Sequence, residues 1–150
     1  MAITSAICTS FKVELLKGVH NFTATTGNTF KIALYDSDAT LGASTTAFST
    51  SEEITNTSGT AYTAGGKALT SVTPTSSGTT AYCDFSDVSW TSASFTANAC
   101  LIYNTTTGTG TGTTDAVCAV AFGGDKTVSS GTFTIQFPTA DASDAILRIA

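Results

Sequence analysis

The run GTAYTAGGKAL is the part of the sequence that most resembles a phosphate-binding loop, because Gly65 and Gly66 stand directly before a lysine. In a Walker A loop, Gly-x-x-x-x-Gly-Lys-Ser/Thr, the glycines let backbone amides surround the phosphates and the hydroxyl binds magnesium. Alignment on Gly66 and Lys67 places Ala61 at the first glycine and Ala68 at the hydroxyl. We therefore predict no nucleotide cofactor, and a turn between two strands in which the glycines adopt positive φ angles.

A second possible function is catalysis by a histidine or by a pair of carboxylates. His20 is the only histidine and lies in a predicted helix, and no Gly-x-Ser-x-Gly elbow selects a nucleophile among the many serines. Two separated carboxylates could serve a glycosidase, but the close pairs lie in turn-like sequence, where aspartate commonly stabilises the turn itself. These pairs are Asp36 with Asp38, Glu52 with Glu53, Asp84 with Asp87, and Asp141 with Asp144. We interpret His20 as a surface residue and predict that the protein has no catalytic residues and is not an enzyme.

The remaining candidates are a metal site formed by carboxylates and a disulfide or metal site formed by cysteines. Residues 36–42 lack the ligand spacing and the glutamate at position twelve of an EF-hand, so we predict no metal, with calcium there as the alternative. Cys8, Cys83, Cys100 and Cys118 lack the Cys-x-x-Cys spacing of zinc and redox sites. We predict buried free thiols, and the sequence leaves a disulfide among them open.

Four aromatic residues could form a platform on which sugar rings stack: Trp90, Tyr62, Tyr82 and Tyr103. Trp90 comes just after a predicted strand that carries Phe85 and Val88, which favours a place in the core or at its edge. We therefore predict no carbohydrate site from these residues.

Composition limits the classes of partner. The 150 residues fit one domain, and charged residues make up 11% of them, against about 25% in ordinary soluble proteins. The net charge is -5, and the six basic residues are scattered singly, at Lys12, Lys17, Lys31, Lys67, Lys126 and Arg148. Nucleic-acid binding needs a clustered positive patch, so we expect no nucleic-acid partner. The first twenty residues resemble neither a signal peptide nor a membrane span, which predicts synthesis in a cytoplasm and no membrane partner.

The hydrophobic periods predict one short helix followed by strands. Ser10 can cap a helix in which Phe11, Leu15, Val19 and Phe22 recur at helical spacing. After Gly27 the period becomes two, which predicts strands. They are expected at residues 30–35 (half-buried), 47–50, 52–56, 67–73, 81–85, 95–103, 117–122 (buried on both faces and ended by Gly123 and Gly124), 133–137 and 145–149.

Strands separated by Gly, Ser, Thr and Asn turns, with no helices between them, indicate an antiparallel sheet architecture. We predict an all-β fold, a single-domain antiparallel β-sandwich of jelly-roll or immunoglobulin-like type with a short N-terminal helix. Residues 1–26 would form an N-terminal arm that carries the helix, and residues 27–150 the sandwich domain. The low-complexity run NTTTGTGTGTTD, residues 104–115, is expected to be a mobile hairpin loop.

Several runs resemble a group of small virion proteins encoded by tailed bacteriophages. They extend from about Phe11 to Phe137: FKVELLKGVHNF, GNTFKIALYDSDATLG, EEI, GTAYTAGGKALT, DVSWTSASFTA and LIYN. The most specific are the KIALY strand and the Gly-Tyr-Thr-Ala-Gly-Gly stretch, which here reads Gly-Thr-Ala-Tyr with Ala61 inserted. The resemblance implies a β-rich structural component without cofactors or transferable catalytic residues, on the capsid or in the tail.

From these observations we expect a capsid decoration, or cement, protein that binds and stabilises the assembled head. The expected partners are the major capsid protein or other virion proteins, the expected location is the capsid surface of the virion, and we expect a homo-oligomer. Residues 1–22 are the candidate docking arm, since they interrupt the β pattern. The alternative is a tail or fibre component that binds host-surface glycans, and a depolymerase enzyme is the least favoured class.

Overall fold

The computed structural model describes residues 2–54, 61–106 and 114–150. The predicted all-β antiparallel sandwich with one short helix is confirmed, with two sheets in a sandwich-like arrangement. The elements are β1 (Ala6–Ile7), α1 (Thr9–Leu16), β2 (Phe30–Tyr35), β3 (Lys67–Ala68), β4 (Ser71–Ser77), β5 (Thr80–Phe85), β6 (Val88–Asn104), β7 (Asp115–Ile135) and β8 (Leu147–Ile149). One sheet has the order β1-β7-β6-β2-β3 and the other the order β4-β5-β8.

The two longest strands, β6 and β7, form the framework of the larger sheet. They pair antiparallel from Val88 opposite Ile135 to Asn104 opposite Asp115, so residues 104–115 do connect a hairpin. Residues 107–113, and with them the predicted mobility of that loop, lie outside the described residues. The prediction that a strand ends at Gly123 and Gly124 is wrong, because β7 continues to Ile135.

A bulge explains this error. Ala97 pairs with Lys126 and Ala99 with Ala121, so Asn98 alone faces residues 122–125. Both glycines have positive φ, which accommodates the extra residues, and the Asn98 amide donates to the Asp125 carboxylate across the bulge at 2.8 Å. Glycine therefore bends this strand and does not end it.

Strand β2 lies at the centre of the core. Phe30, Ile32 and Leu34 are buried as the alternation predicts, but Ala33 and Tyr35 are buried as well. The prediction of a half-buried strand is therefore wrong, because a covering segment, residues 46–54, lies over the second face: the Tyr35 hydroxyl donates to the Ser49 carbonyl at 2.7 Å.

The covering segment was predicted to contain two short strands, and that prediction is also wrong. Its described residues form only isolated bridges, Ala47 with Asp115 and Glu53 with Tyr35, and residues 55–56 lie outside the described chain. Phe48 stacks on Tyr103 with ring centroids 4.5 Å apart. The segment is therefore held by side-chain contacts and by separate backbone hydrogen bonds, such as that from the Ile54 amide to the Leu34 carbonyl at 3.0 Å, without forming a strand.

The helix is shorter than the sequence pattern predicts. The residue before its first turn is Cys8, without a side-chain cap, so Ser10 lies within the helix and does not cap it. Gly18, with φ 71°, follows the C-cap Lys17, and a glycine in this conformation commonly ends a helix. Val19 and Phe22 consequently lie beyond the helix. No helix in the described ranges is both long and apolar enough to cross a membrane.

The N-terminal residues are built into the sandwich. Ala6 of β1 pairs with Ala119 of β7, and Cys8, Phe11 and Phe22 belong to the hydrophobic core. Phe22 stacks on Phe30 with centroids 4.4 Å apart. Removal of residues 1–22 would therefore take away core side chains as well as any docking surface.

All four cysteines are free and buried, as predicted. Burial raises the pKa of Cys8 to about 11 and that of Cys83 and Cys100 to about 12, and it raises the pKa of Cys118 well above its usual value. Since the thiolate is the reactive form, we expect iodoacetamide at mildly alkaline pH to leave the native protein unmodified and to label all four thiols in urea. Intact mass spectrometry measures the number of labels, and rapid labelling of the native protein would contradict the burial.

Candidate functional site

An apolar groove of about 1000 Å³ lies between helix α1 and the three-stranded sheet. This volume is at the upper end of the range for ligand pockets, about 300–1000 Å³. The residues that line it come from β1, α1, the residues after α1, β4, β5 and the region of β8. The larger apolar ones are Ile7, Phe11, Leu15, Phe22, Pro74, Tyr82, Ile146, Leu147 and Ile149.

The groove exists because the two layers of the sandwich meet at one end and separate at the other. Phe85, at the end of β5, packs against Phe22 and Phe30 with centroid distances of 6.2 and 5.8 Å. At the start of the same strand, Ala81 is exposed and lines the groove. Helix α1 therefore faces a sheet surface that the described chain does not fill.

Exposed hydrophobic side chains concentrate on the elements that line this groove. The large ones in the described chain are Leu16 (91% exposed), Ile149 (62%), Val13 (48%) and Val72 (37%). They lie on α1, β8, α1 and β4, and each of these elements contributes residues to the groove. Single exposed hydrophobics are normal, but an exposed apolar side chain in the wall of an apolar groove, here Ile149, is typical of an interaction surface.

The two charged side chains that line the groove have the same sign. Lys12 and Arg148 line it, and no aspartate or glutamate does, although acidic residues outnumber basic ones by eleven to six in the chain. Arg148 donates to the backbone carbonyls of Ala142 and Ser143. None of the described carboxylates forms an ion pair with either cation.

His20 also lines the groove, and its predicted place on a helix surface is wrong. It follows the helix and is buried, with Nε2 2.7 Å from Glu14 Oε2 and Nδ1 3.0 Å from the Asn104 side-chain nitrogen. The Thr106 amide donates to Asn104 Oδ1, and the Asn104 nitrogen donates also to Asn28 Oδ1 at 2.9 Å. This network assigns the tautomer: Nδ1 accepts and Nε2–H donates to Glu14.

Both ring nitrogens of His20 are therefore occupied by structural hydrogen bonds. A general base needs a nitrogen that can reach a substrate proton, and this ring offers none in the observed arrangement. The network instead ties the helix, through Glu14, to the end of β6, through Asn104. It gives the groove a fixed wall.

The Gly-Gly-Lys run forms a turn with positive φ at both glycines, as predicted, but residues 61–63 directly before it are not a strand. Gly65 and Gly66 have φ angles of 85° and 74°, and the chain then enters β3, not a helix. The Gly65 amide donates to Glu53 Oε1 at 2.7 Å, and its carbonyl accepts from the Tyr103 hydroxyl at 2.6 Å. Lys67 donates to the Ser89 carbonyl, and its Nζ lies 5.9 Å from the centroid of the Trp90 ring.

The acidic pairs separate into different environments. Asp36 Oδ1 accepts from the Asp38 amide, and Asp141 Oδ1 accepts from the Ser143 and Asp144 amides, so these two aspartates stabilise turns as predicted. Asp84 is different: it is buried within β5, as the strand predicted at residues 81–85 requires, and not in turn-like sequence as the pairing with Asp87 assumed. Burial, partly offset by hydrogen bonds from the Phe85 and Ile146 amides, raises the pKa of Asp84.

One cluster of three carboxylates combines residues from two of the pairs named in the sequence. Asp36, Asp38 and Glu52 place one oxygen each within 4.8 Å of one another, whereas Glu53 points into the core. These three are the described residues that could hold a cation. Because Asp38 and Glu52 are exposed, and exposed acidic groups commonly cluster without a metal, the cluster does not by itself define a site.

The aromatic residues do not form a common stacking platform. Trp90, Tyr62 and Tyr103 are buried in the core, as expected for Trp90, and only Tyr82 reaches the groove. Trp90 and Phe95 meet edge to face with centroids 6.2 Å apart. These rings therefore stabilise the sandwich.

The groove itself was missed by sequence reasoning. Its one local signal is the presence of Val13 and Leu16 outside the helical stripe of Phe11 and Leu15, since an amphipathic surface helix normally keeps large apolar residues on one face. No protein-family model matches this chain, and neither the curated proteins nor the solved structures contain a significant match.

Proposed function

We propose that this protein is a virion structural protein of a tailed bacteriophage that decorates the capsid and docks through the groove beside α1. The observation that carries the proposal is the apolar groove, which has the exposed Ile149 in its wall and the exposed Leu16 on the helix that contributes Lys12 and Leu15. Such a surface favours association with another protein, because docking removes it from water. The sequence resemblance to phage virion proteins supports another virion protein as that partner.

The docking residues fall partly within residues 1–22, which the sequence had singled out as an arm. Helix α1 supplies Lys12, Leu15 and the exposed Leu16, while β8 supplies the opposite wall. The proposed docking surface is therefore shared between the helix and the sandwich. Binding to the assembled head and not to free subunits would stabilise the head by mass action.

The alternative of a glycan-binding tail or fibre component has less support. An aromatic platform could have supported glycan binding, but three of the four aromatic residues considered for one are buried. We keep the capsid surface as the proposed location.

Leu16→Asp should weaken capsid binding about tenfold or more, because burial of a leucine contributes roughly 1.5–3 kcal/mol and a charge opposes docking. Since Leu16 is 91% exposed, the substitution should leave the fold intact. Co-sedimentation with capsids that lack the protein measures the affinity, and mass spectrometry measures the copies bound per capsid.

The matched control is Thr132→Asp, which adds the same charge at an exposed position on β7 outside the groove. It should bind as the wild type does. Equal binding by Leu16→Asp and the wild type, or the absence of capsid binding by the wild type, would contradict the proposed docking. These surface variants replace deletion of residues 1–22, which would also remove the core residues Phe11 and Phe22.

A further inference from the structure

We infer that the groove receives a segment of a partner protein that combines large apolar side chains with an adjacent carboxylate. The inference rests on the proposed function only for the identity of the partner, because the chemistry of the docked segment follows from the residues that line the groove. Apolar side chains would occupy the space between Leu15 and Ile149, and the carboxylate would lie at Lys12 and Arg148.

The charged side chains of the groove are opposite in sign to the net charge of the chain. The protein carries a net charge of -5, yet the two charged side chains that line the groove, Lys12 and Arg148, are both cationic. A carboxylate that approaches them gains charge-assisted hydrogen bonds, and arginine offers a bidentate geometry. Such rim charges mainly select the partner and set the association rate.

The same charges disfavour a second copy of this chain in the groove. In a twofold-symmetric pair the same surface faces itself, so Lys12 and Arg148 of one copy would meet those of the other with no acidic side chain from either groove to compensate. The like charges favour a different, acidic partner.

A small amphiphile such as a fatty acid could place its carboxylate at Lys12 and Arg148, but it would not cover the exposed apolar side chains outside the groove. Leu16 and Val13 do not line the groove, although they lie on the same helix and are 91% and 48% exposed. A molecule held inside the groove would leave both in water. A protein segment, with the surface around it, also covers Leu16, which lies one turn after Lys12 on the helix, and for this reason we choose a protein.

The test uses two fluorescent peptides and the intact protein. One peptide alternates leucine with aspartate, and the other has lysine at each aspartate position. We expect the acidic peptide to bind about tenfold or more tightly than the basic one, with an affinity that falls as salt rises. The double variant Lys12→Glu/Arg148→Glu should reverse the preference, whereas Lys126→Glu, on β7, should change it by less than about twofold. Circular dichroism and thermal melting confirm that each variant folds.

The same variants are then measured on capsids. Lys12→Glu/Arg148→Glu should bind capsids about tenfold less tightly than the wild type. If capsids do not bind the wild type but the peptides show the charge preference, the proposed function fails and the inference stands. If the two peptides bind equally, or neither binds, the inference is overturned whatever the capsids show. A dimer of the wild type that Leu16→Asp abolishes, or tight binding of fluorescent cis-parinaric acid in place of the acidic peptide, would also overturn it.

Discussion

Gly66→Ala should lower the free energy of unfolding by about 3 kcal/mol or more. A Cβ at this position would lie 1.9 Å from the Ile32 carbonyl oxygen and 2.8 Å from the Ala33 Cα, and the backbone φ is +74°. The obstructing atoms belong to the backbone of β2 and cannot rotate away. Relief of the contact requires β3 to move from β2, with loss of the pairing of Lys31 with Ala68.

The neighbouring glycine provides the control for the backbone angle alone. Gly65 has φ +85°, but its added Cβ would meet only the Tyr103 hydroxyl at 3.6 Å and the Lys31 Nζ at 3.7 Å. Gly65→Ala should therefore cost only about 1 kcal/mol, from the left-handed conformation. Urea denaturation of the two variants measures the difference, and equal stability would show that β2 and β3 separate at little cost.

The sequence predicted the features that depend on neighbouring residues. Alternation placed strands at β2 and β5 and within β6, and the two glycines at 65 and 66 indicated the turn that the structure contains. Gly18 was a local signal for the end of the helix, and the longer prediction ignored it in favour of Val19 and Phe22. That error came from giving the hydrophobic period more weight than the terminating glycine.

The features that were missed depend on contacts between distant residues. Burial of Ala33 and Tyr35 requires the covering segment, and no period in β2 reveals that segment. The groove requires Leu15 and Ile149 to face each other across the open end of the sandwich. Their separation in the sequence leaves no spacing to recognise, so only the topology places them together.

Glu53 likewise could not be assigned from its sequence pair with Glu52. It is buried, and its Oε1 accepts from the Tyr62 hydroxyl at 2.6 Å and from the Gly65 amide at 2.7 Å. The Tyr62 hydroxyl in turn accepts from the Leu34 amide at 3.0 Å. Burial and the proton donated to Glu53 raise the pKa of Tyr62. One carboxylate oxygen therefore links the covering segment, the Gly-Gly turn and β2.

Glu53→Ala should destabilise the protein by about 3 kcal/mol, because it leaves the Tyr62 hydroxyl proton and the Gly65 amide without their acceptor and opens a cavity. Glu53→Gln retains an oxygen in the same place and should cost only about 1 kcal/mol, since a neutral acceptor forms weaker hydrogen bonds. Tyr62→Phe removes the other partner, so the double variant Glu53→Ala/Tyr62→Phe should be less destabilised than the sum of the two single variants. Urea denaturation of the four proteins and the wild type measures this coupling. Strict additivity would mean that the short contact between Glu53 and Tyr62 contributes nothing to the stability of the turn.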